Sequence, residues 1–351
     1  MSLALITGSN GLVGSEMAIF LLEKGFDVIG IDNNERKILF GIGGDTSPIK
    51  KKLIKKYKKY KHFNCDIVNY DDLKKIFTKY QNKISFIIHA AGQPSHDWAY
   101  KDIKKDFNIN AVGTLNILEL AKKFNKNSKI VFTSTNKVYG DNPNKLNFSE
   151  TKLRFEIKKK NKYFKGIDEN FSIDNCKKSF FGVSKSYADL LVQEFNKNYG
   201  LQAVSFRAGC ITGPNHAGVK LHGFLSFLVK SCIKEKKYEI IGYKGKQVRD
   251  NIHSNDLVNA FWNYYLKPSK ESVYNLGGSR FSNCSILEAI NYVEKKLSIK
   301  VNIKVNKQNR VGDHIWYISD ISKYLKDYPK FNLKYNTEKI LDEIIEHELE
   351  T

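Results

Sequence analysis

The sequence predicts an α/β protein in which a doubly wound parallel sheet is followed by a smaller α+β part. Two observations predict this class. Short apolar runs alternate with stretches of helical periodicity through residues 1–207, and this alternation weakens beyond them. The length of 351 residues is enough for one large core with a dependent second domain. We therefore expect a first domain over 1–207, joined by later segments at about 250–275, and a second domain mainly over 208–351.

A strand, a helix and a second strand are predicted over 3–7, 15–24 and 27–32. They fall within the length of a βαβ unit, in which the helix crosses one face of the sheet and leaves the two strands parallel. The same alternation continues through a helix over 70–80, a strand over 84–89, a helix over 111–124, a strand over 129–133, a helix over 184–199 and a strand over 203–207. A doubly wound parallel sheet follows from this pattern.

The predicted elements after residue 207 are shorter and less regular. They lie over 221–232, 238–241 and 274–276, in a helix opened by Ser285 and in a last helix from Thr337. Ser285 and Glu288 have the spacing of a capping box, in which each side chain accepts a hydrogen bond from the backbone of the other residue. These segments predict a smaller α+β cap.

The chain is strongly basic, with 58 Lys and Arg against 37 Asp and Glu and a formal charge of +21. Clustered basic residues are typical of nucleic-acid binding, because they release counterions from phosphate groups. Here much of the excess lies in short lysine runs such as 50–52 and 158–160, which are typical of a solvated surface. We therefore predict no nucleic-acid partner, although a positive field favours the approach of an anionic substrate.

Neither a membrane segment nor a metal or disulfide framework is predicted. No apolar stretch is long enough to cross a bilayer, and the first residues lack the basic start and cleavage site of a signal peptide. The five cysteines are far apart and have no metal-ligand spacing. We expect a cytoplasmic protein with reduced thiols, no metal and no membrane partner.

Three glycines, Gly8, Gly11 and Gly14, follow the first strand and open the first helix. Their spacing allows a tight turn, close approach of the backbone to a pyrophosphate and close packing of the helix against the strand. A glycine triplet alone is equally compatible with a structural turn. However, Asp32 ends the second strand about twenty residues later, where a carboxylate accepts hydrogen bonds from both adenosine ribose hydroxyls. The pattern predicts a Rossmann-type site for NAD, since the Asp32 charge disfavours the 2′-phosphate of NADP, although two basic residues nearby weaken this preference.

Further cofactor contacts are predicted in the loops around the glycine motif and after the neighbouring strands. Small residues after one strand leave room for the cofactor, and an acid after another suits the adenine edge. Each of these residues alone is equally typical of an ordinary loop. The predicted contacts are Asn10, Leu12, Val13, Asn33, Asp66, Ile67, Ala90, Ala91 and Gly92.

Six segments resemble the extended short-chain dehydrogenase/reductase family, which includes NAD-dependent epimerases and dehydratases of nucleotide-linked sugars. The resemblance spans nearly the whole chain and rests on residues 7–14, 89–93, 110–114, 134–141, 182–185 and 245–250. The segment Ser134 to Asp141 is the most typical of CDP-sugar 2-epimerases within that family. The resemblance implies bound NAD with contacts from Asn110 and Lys185, a nucleotide-diphosphate-sugar substrate, and a homodimer formed through the helices over 111–124 and 184–199.

The resemblance also implies catalytic roles. Thr135 would hydrogen-bond the reacting sugar hydroxyl, and Lys185 would hold the nicotinamide ribose and lower the pKa of a tyrosine four residues before it. Phe181 occupies that tyrosine position and has no oxygen to accept a proton. General base catalysis typically contributes about a hundred- to ten-thousand-fold, so its loss needs an explanation.

Three explanations for Phe181 stay open: another side chain is the base, the substrate or a water supplies the proton path, or the protein binds its ligands without the usual turnover. The candidate bases are Lys137, His96, Asp97 and Tyr139. A tyrosine-to-phenylalanine change made by engineering would give the same sequence.

The substrate contacts implied by the resemblance lie near Thr135 and in the cap. Arginines suit a diphosphate, because the planar guanidinium group pairs with two phosphate oxygens at once. Several of these residues are equally typical of a solvated loop, a core histidine or a helix start. The predicted contacts are Gln93, Asn136, Lys137, Asn215, His222, Gln247, Arg249, Arg310 and Asp313, with both arginines expected in loops.

Together these observations predict an NAD-dependent epimerase of a nucleotide-linked sugar, acting at C2 of a CDP-linked deoxyhexose through a keto intermediate. One alternative is a dehydratase, decarboxylase or 4-reductase. Dehydratases commonly have an Asp–Glu pair after Thr135, where this chain has Asn136 and Lys137. The other alternative is a catalytically weakened protein that binds NAD and a sugar nucleotide, as Phe181 suggests.

Overall fold

The computed structural model describes residues 2–216, 218–219, 223–306, 308–309 and 312–350. The chain divides into two compact units. The first unit comprises Met1–Val138, Phe180–Arg207 and Leu257–Tyr274. The second unit comprises Tyr139–Ser179, Ala208–Asp256 and Asn275–Thr351.

Strands and helices alternate through the first half of the chain, as predicted. The strands are β1 (Leu3–Thr7), β2 (Asp27–Ile31), β3 (Tyr60–Phe63), β4 (Ile84–His89), β5 (Lys129–Thr135), β6 (Phe148–Glu150), β7 (Phe155–Ile157), β8 (Gln202–Ala208), β9 (Cys210–Thr212), β10 (Lys237–Ile241), β11 (Val248–His253), β12 (Val273–Leu276), β13 (Asn283–Ser285), β14 (Asn302–Asn306) and β15 (Trp316–Tyr317). The helices are α1 (Leu12–Glu23), α2 (Glu35–Phe40), α3 (Ser47–Lys56), α4 (Tyr70–Lys79), α5 (His96–Lys101), α6 (Ile103–Phe107), α7 (Gly113–Phe124), α8 (Phe180–Tyr199), α9 (Phe224–Glu235), α10 (Ser254–Leu266), α11 (Ile286–Leu297), α12 (Ser322–Asp327) and α13 (Thr337–Glu350).

The first unit is built around a seven-stranded sheet with the strand order β12-β8-β5-β4-β1-β2-β3. Strand β1 pairs in parallel with both β2 and β4, and Thr7 is aligned with Ile31 on one side and with His89 on the other. Three strands therefore end together at one edge. The strand order reverses between β1 and β4, which is the place where ligands bind in open parallel sheets. The predicted doubly wound sheet is confirmed.

Apolar strands and one-sided helices explain this architecture. In β1 and β2 every residue after the first is buried, as expected for parallel strands covered on both faces. Helix α4 is capped at its N-terminus by Asn69, whose side chain accepts a hydrogen bond from a backbone N–H of the first turn. Leu73, Ile76 and Phe77 are its buried residues, and their spacing of three and four gives one apolar stripe.

The second unit combines small sheets with a helical core. Strand β11 pairs in parallel with β9 and β15 and antiparallel with β13, and β10 pairs in parallel with β14. Helices α9, α11 and α13 share one apolar cluster that includes Leu228, Ile290 and Ile344. The predicted capping box is confirmed at α11, where Ser285 Oγ accepts from the Glu288 N–H at 3.0 Å and the Glu288 carboxylate accepts from the Ser285 N–H at 2.8 Å. This unit has the α+β composition that the sequence predicts.

Several predicted elements differ from the structure. Helix α8 begins at Phe180 rather than at residue 184, so Phe181 lies in its first turn. The helix predicted from residue 111 begins at Gly113, after a π-helical turn over Asn108–Val112. Arg249 lies in strand β11 and not in a loop. All six residues of β11 are buried, so the alternation of apolar and polar residues that would reveal a half-buried strand is missing.

The segment Tyr139–Ser179, predicted within the first domain, belongs to the second unit. Its backbone joins residues far along the chain: the Ile167 N–H donates to the Ile318 carbonyl oxygen at 2.7 Å, and Asn275 Nδ2 donates to the Ile167 carbonyl oxygen at 2.7 Å. Such long-range bonds leave no periodicity in the sequence. Residues 274–276, predicted in the cap, lie in β12 of the large sheet.

The described residues contain no helix of the length and apolar character needed to span a membrane. In the same part of the chain, no three His, Cys, Asp or Glu side chains are grouped so that they could bind a metal ion. All five cysteines are free, and Cys65, Cys232 and Cys284 are buried.

Candidate active site

The glycine loop between β1 and α1 is shaped by contacts within the first unit. Gly8 has a φ of +66°, and a Cβ on it would lie 2.7 Å from the backbone nitrogen of Ala91. An L side chain at this position is therefore excluded by both conformation and space. A Cβ on Gly14 would lie 2.1 Å from the Gly8 carbonyl oxygen. Both glycines are required for α1 to approach the end of β1.

Gly11 differs from the other two glycines, because the surrounding protein leaves space for a Cβ. Its φ is −74°, and a Cβ would lie 3.4 Å from the Gly8 carbonyl oxygen, close to an ordinary contact. Gly11 is the N-cap of α1, provides no side-chain cap, and precedes a first turn without acidic residues. The positive end of a helix dipole then suits an anion, so this turn, with Leu12 and Val13, fits the pyrophosphate of a dinucleotide.

Asp32 follows β2 and accepts hydrogen bonds from two backbone amides. Its Oδ2 accepts from the Asn10 N–H at 3.0 Å, and its Oδ1 accepts from the Asn34 N–H at 2.7 Å. An ionised carboxylate has about four acceptor sites, so the fixed side chain retains capacity for ribose hydroxyls. Burial lowers the pKa of the nearby Arg36, while the Asp32 charge opposes that shift. The geometry fits the predicted ribose contact.

A buried chain of hydrogen bonds ties the end of β1 to the loop after β4. Thr7 Oγ1 accepts from the Ala91 N–H at 3.2 Å and lies 2.7 Å from His89 Nδ1, while His89 Nε2 lies 2.9 Å from Thr114 Oγ1. Because Thr114 donates its own proton to the Asn110 carbonyl oxygen at 2.6 Å, His89 Nε2 is the protonated nitrogen. Burial, aided by the charge of a nearby lysine, lowers the pKa of His89 to about 3, so this ring is a neutral structural link.

The remaining predicted cofactor contacts lie in loops of the same unit. Ala90 is partly buried and Gly92 is exposed. Asp66 is exposed and accepts from a backbone N–H two residues later at 2.9 Å, whereas Ile67 is buried. The Asn33 side chain accepts from the first N–H of α2 at 3.1 Å. Their contacts with the cofactor stay predictions.

Lys185 lies in α8 and reaches the end of β5. Its Nζ donates to the Thr133 carbonyl oxygen at 2.8 Å and lies 4.1 Å from the centre of the Phe132 ring. Burial lowers the pKa of Lys185 to about 7, against the charges of Asp189 and Asp106, which raise it. The ammonium group is therefore held in a fixed and weakly solvated position.

Thr135 is the last residue of β5. Its Oγ1 accepts from the Lys137 N–H at 3.2 Å, and the buried Asn136 begins a short 3₁₀ turn. Thr135 and Lys185 thus belong to the same unit, and the bond from Lys185 to Thr133 brings the lysine to within two residues of Thr135 along the strand. The catalytic and substrate roles of these residues stay predictions.

Phe181 lies in the first turn of α8 and is buried. Its ring contacts the ring of His96 edge to face, with centroids 5.0 Å apart and an interplanar angle of 69°. Asp97 follows His96 in α5. Tyr139, another candidate base, belongs to the second unit, where its buried hydroxyl donates to Asn275 Oδ1 at 2.8 Å. Among the candidate bases, His96 is shown by the described contacts to pack on Phe181.

Gln93 and Asn110 belong to a buried polar network that joins the loop after β4 to α8. Gln93 Nε2 donates to Asp106 Oδ1 at 2.7 Å, and Ser184 Oγ donates to Asp106 Oδ2 at 2.6 Å. Asn110 Nδ2 donates to Ser184 Oγ at 3.1 Å, and Asn110 Oδ1 accepts from the Gln93 N–H at 2.9 Å. Burial raises the pKa of Asp106, while hydrogen bonds from Ser184 and Gln93 lower it. This network positions two residues predicted to contact ligands.

Sequence analysis missed the buried ion pair between Asp189 of α8 and Arg207 of β8. Arg207 donates to Asp189 Oδ1 at 2.8 Å, and both side chains are almost fully buried. Ser134 and Ser205 also donate to Asp189 Oδ2, at 2.6 and 2.5 Å. Burial raises the pKa of Asp189, but Arg207 and these hydrogen bonds outweigh it and lower the pKa overall. The pair fixes α8 against β5 and β8.

The second unit contains the predicted phosphate and ribose contacts. Arg249 is buried, donates to the Val248 carbonyl oxygen at 2.9 Å and forms an ion pair with Asp313 Oδ1. Gln247 is buried and donates from Nε2 to the Ile241 carbonyl oxygen at 3.0 Å. The ion pair brings Arg249 and Asp313 together, although they are 64 residues apart in the sequence.

Three further residues are predicted to contact the substrate. Asn215 is exposed. His222 and Arg310 lie outside the described residues, so their predicted contacts stay predictions.

The features above define a class of protein. The sequence profile of the NAD dependent epimerase/dehydratase family matches residues 4–277, which is most of the chain. The chain belongs to this family, and NAD is its cofactor.

Among curated proteins, the chain is similar to CDP-paratose 2-epimerase of Salmonella typhi, with 31% identity covering 96% of this chain and 98% of that protein. It is also similar to UDP-glucuronate 4-epimerase of Thermodesulfobacterium geofontis, with 28% identity covering 93% of this chain and 90% of the relative. Both relatives are named as epimerases of nucleotide-linked sugars.

Solved structures show the same fold. UDP-glucose 4-epimerase of Thermus thermophilus, in complex with NAD, has a TM-score of 0.77 at 20% identity and covers 99% of both chains. UDP-glucuronic acid 4-epimerase of Bacillus cereus, in complex with UDP-glucuronic acid and NAD, has a TM-score of 0.75 at 21% identity, again over 99% of both chains.

Proposed function

We propose that the protein interconverts two epimers of a nucleotide-linked sugar, and that the reacting centre is C2 of a CDP-linked deoxyhexose. The single observation that carries this proposal is the 31% identity to CDP-paratose 2-epimerase across 96% of the chain. The segment Ser134 to Asp141, which contains Thr135, supports the choice of C2.

The proposed cofactor contacts lie in the first unit. Gly11 and the start of α1 would hold the pyrophosphate, Asp32 the adenosine ribose and Lys185 the nicotinamide ribose. Bound NAD supplies the capacity to take a hydride from a sugar carbon and give it back. Thr135 would hydrogen-bond the reacting hydroxyl and hold it while its proton leaves.

The second unit supplies the proposed nucleotide contacts. Arg249 and Asp313 form an ion pair and are both at least partly buried, so their side chains are held before a substrate binds. A guanidinium group suits a diphosphate, and a carboxylate suits ribose hydroxyls. Binding through the nucleotide would retain the keto intermediate while the small sugar rotates to present its opposite face. This uses binding energy that is remote from the reacting carbon.

The experiment is incubation of the NAD-loaded protein with CDP-paratose, UDP-glucose and GDP-mannose, with product analysis by NMR. The proposal expects a C2 epimer from the CDP sugar and little change in the other two. A 4,6-dehydrated product of UDP-glucose or GDP-mannose would favour the dehydratase alternative instead.

A second candidate function is favoured by one observation, the phenylalanine at position 181. A protein without the usual base would bind NAD and CDP-paratose with no conversion. Binding of both ligands to wild-type protein, with no epimer after prolonged incubation, would favour this candidate over an active epimerase.

We also propose that the protein is a homodimer and that it is cytoplasmic, as the sequence predicts. Helix α8 exposes Val183, Tyr187 and Leu190 at spacings of four and three, which gives an apolar stripe on the helix predicted to lie in the interface. Light scattering would test this: Leu190→Glu is expected to yield monomers. The same change at the exposed Ile42, which lies outside α7 and α8, should leave the dimer intact. A monomeric wild-type protein would contradict the proposed dimer.

A further inference from the structure

We propose that His96 is the catalytic base in place of the missing tyrosine, a role that rests on the proposed epimerase function. Its imidazole packs directly on the Phe181 ring, with centroids 5.0 Å apart. The proposed base thus lies in α5 and not in α8.

The edge-to-face contact sets the position of the imidazole. Phe181 is buried, whereas His96 is only partly buried, so the histidine is the more accessible of the two rings. Imidazole is the side chain that most often serves as a general base in enzymes. The more accessible of the two rings is therefore that of His96, whose imidazole has a nitrogen atom to accept a proton, whereas the ring of Phe181 has none.

Hydrogen bonds link the residue before His96 to α8. Ser95 caps α5 by accepting from the Trp98 N–H, and the Ser95 carbonyl oxygen accepts from Gln93 Nε2 at 2.8 Å. Gln93 is in turn bonded to Asp106, which accepts from Ser184 Oγ of α8. This buried chain of bonds runs from the residue before His96 to a residue three positions after Phe181. Such fixed positioning is what a base needs, because small displacements reduce proton transfer strongly.

Lys185 is less suited to be the base. Its Nζ is buried and donates to the Thr133 carbonyl oxygen at 2.8 Å, so it is directed at the backbone. Tyr139 is also less suited, since its buried hydroxyl donates to Asn275.

The proposed step balances without a further reactant. The C2–H bond of the sugar would break with loss of a hydride, which bound NAD has the capacity to accept, while the O–H bond breaks and its proton moves to the His96 imidazole, leaving a C2 ketone. The imidazolium then returns the proton to the oxygen as the hydride returns to the opposite face. The sugar is first oxidised and then reduced, so no net oxidant is consumed.

The test compares five preparations of the NAD-loaded protein acting on CDP-paratose: wild type, His96→Ala, Phe181→Tyr, the double variant, and Lys101→Ala as a control in the same helix. We expect His96→Ala to slow epimerisation by about a hundred- to ten-thousand-fold, with unchanged NAD content and melting temperature. Imidazole added to the buffer, or the additional Phe181→Tyr change, should raise the rate of His96→Ala by at least about tenfold, because either one supplies a new base. Lys101→Ala should retain the wild-type rate.

A measurement independent of turnover completes the test. The ring signals of His96, identified by their loss in His96→Ala, should shift in the NMR spectrum when CDP-paratose is added and not when CDP is added. Shifts with the sugar nucleotide alone would place the sugar next to the imidazole.

Three outcomes would overturn the inference. One is wild-type turnover by His96→Ala, another is a loss that neither imidazole nor Phe181→Tyr restores, and a third is the absence of any sugar-dependent shift of the His96 signals. Failure of the proposed function would look different: wild-type protein that holds NAD and converts no sugar nucleotide would refute both the epimerase activity and the base.

Discussion

The glycine loop and helix α8 both hold residues of the proposed site in fixed positions. They differ in how closely they match the sequence pattern of the family. In the loop, Gly8 and Gly14 are fixed by close backbone contacts, and Gly11 leaves space next to an uncapped helix start. In α8, Lys185 is held as firmly, yet Phe181 has replaced the group that would exchange a proton. Under the proposals made above, cofactor binding and proton transfer are separate properties of this fold, because the glycine loop keeps its contacts while the proposed base lies on a different helix.

The largest expected effect on NAD binding comes from adding one carbon to the glycine loop. In Gly14→Ala the new Cβ would lie 2.1 Å from the Gly8 carbonyl oxygen, so α1 must move away from β1. Overpacking of this kind costs about 1–3 kcal/mol, and more where the neighbour is backbone. We expect a large fall in melting temperature and complete loss of bound NAD.

Gly11→Ala is the matched control for that change. Its Cβ meets an atom only at 3.4 Å, so the melting temperature of the cofactor-free protein should stay near the wild-type value while NAD affinity falls. Equal losses of stability in both alanine variants would contradict the assignment of Gly11 to the pyrophosphate.

The second expected effect is a loss of stability when the buried ion pair between α8 and β8 is broken. Asp189→Ala leaves Arg207 as an uncompensated buried charge, which costs about 3–5 kcal/mol of unfolding free energy. Urea denaturation measures this loss, with Lys197→Ala on the exposed side of the same helix as control. A loss below about 1 kcal/mol, the range of an exposed ion pair, would show that the pair is solvated.

A smaller effect is expected at the cofactor ribose. Asp32→Asn keeps the size of the side chain but removes its charge, and hydrogen bonds to charged groups are worth about 1.5–3 kcal/mol. We expect NAD affinity to fall about 10- to 100-fold, with a reduced preference over NADP, as measured by calorimetric titration. Asp27→Asn, at the other end of β2, should bind NAD normally. Unchanged affinity in Asp32→Asn would remove this residue from the site.

The smallest effect, when expressed per pH unit, is a pH dependence set by Lys185. Its pKa in the folded protein is about 7, below the ordinary value of 10.5, so between these two pH values the unfolded chain binds more protons. The free energy of unfolding should therefore rise with pH across this window, by at most about 1.4 kcal/mol per pH unit. Denaturation of cofactor-free wild type and Lys185→Met at several pH values measures the difference, and Lys197→Met should match wild type. Parallel curves for wild type and Lys185→Met would show that the lysine is well solvated.

The sequence was sufficient for the parts of the molecule that depend on local patterns. The apolar runs of β1 and β2, the glycine spacing and the capping box at Ser285 each depend on a few neighbouring residues, and the structure has all of them. The position of Asp32 at the end of β2 was predicted as well, because the ends of adjacent parallel strands meet at one edge.

Long-range pairing was not predictable in the same way. The partner of Asp189 depends on which strand lies beside α8, and the ion pair of Arg249 with Asp313 joins positions that are far apart in the sequence. Likewise, the contact of His96 with Phe181 requires the loop after β4 to fold against α8, which the Gln93 network achieves. A single sequence contains no periodicity that encodes such contacts.

The central claim is that hydride leaves C2 of a nucleotide-linked sugar and returns to the same carbon. The most direct test is incubation of wild-type protein with CDP-paratose labelled with deuterium at C2, followed by NMR of the product. We predict a C2 epimer that retains deuterium at that carbon. An epimer whose label has been replaced by solvent hydrogen would contradict hydride return, and recovery of unchanged substrate would contradict the proposed epimerase.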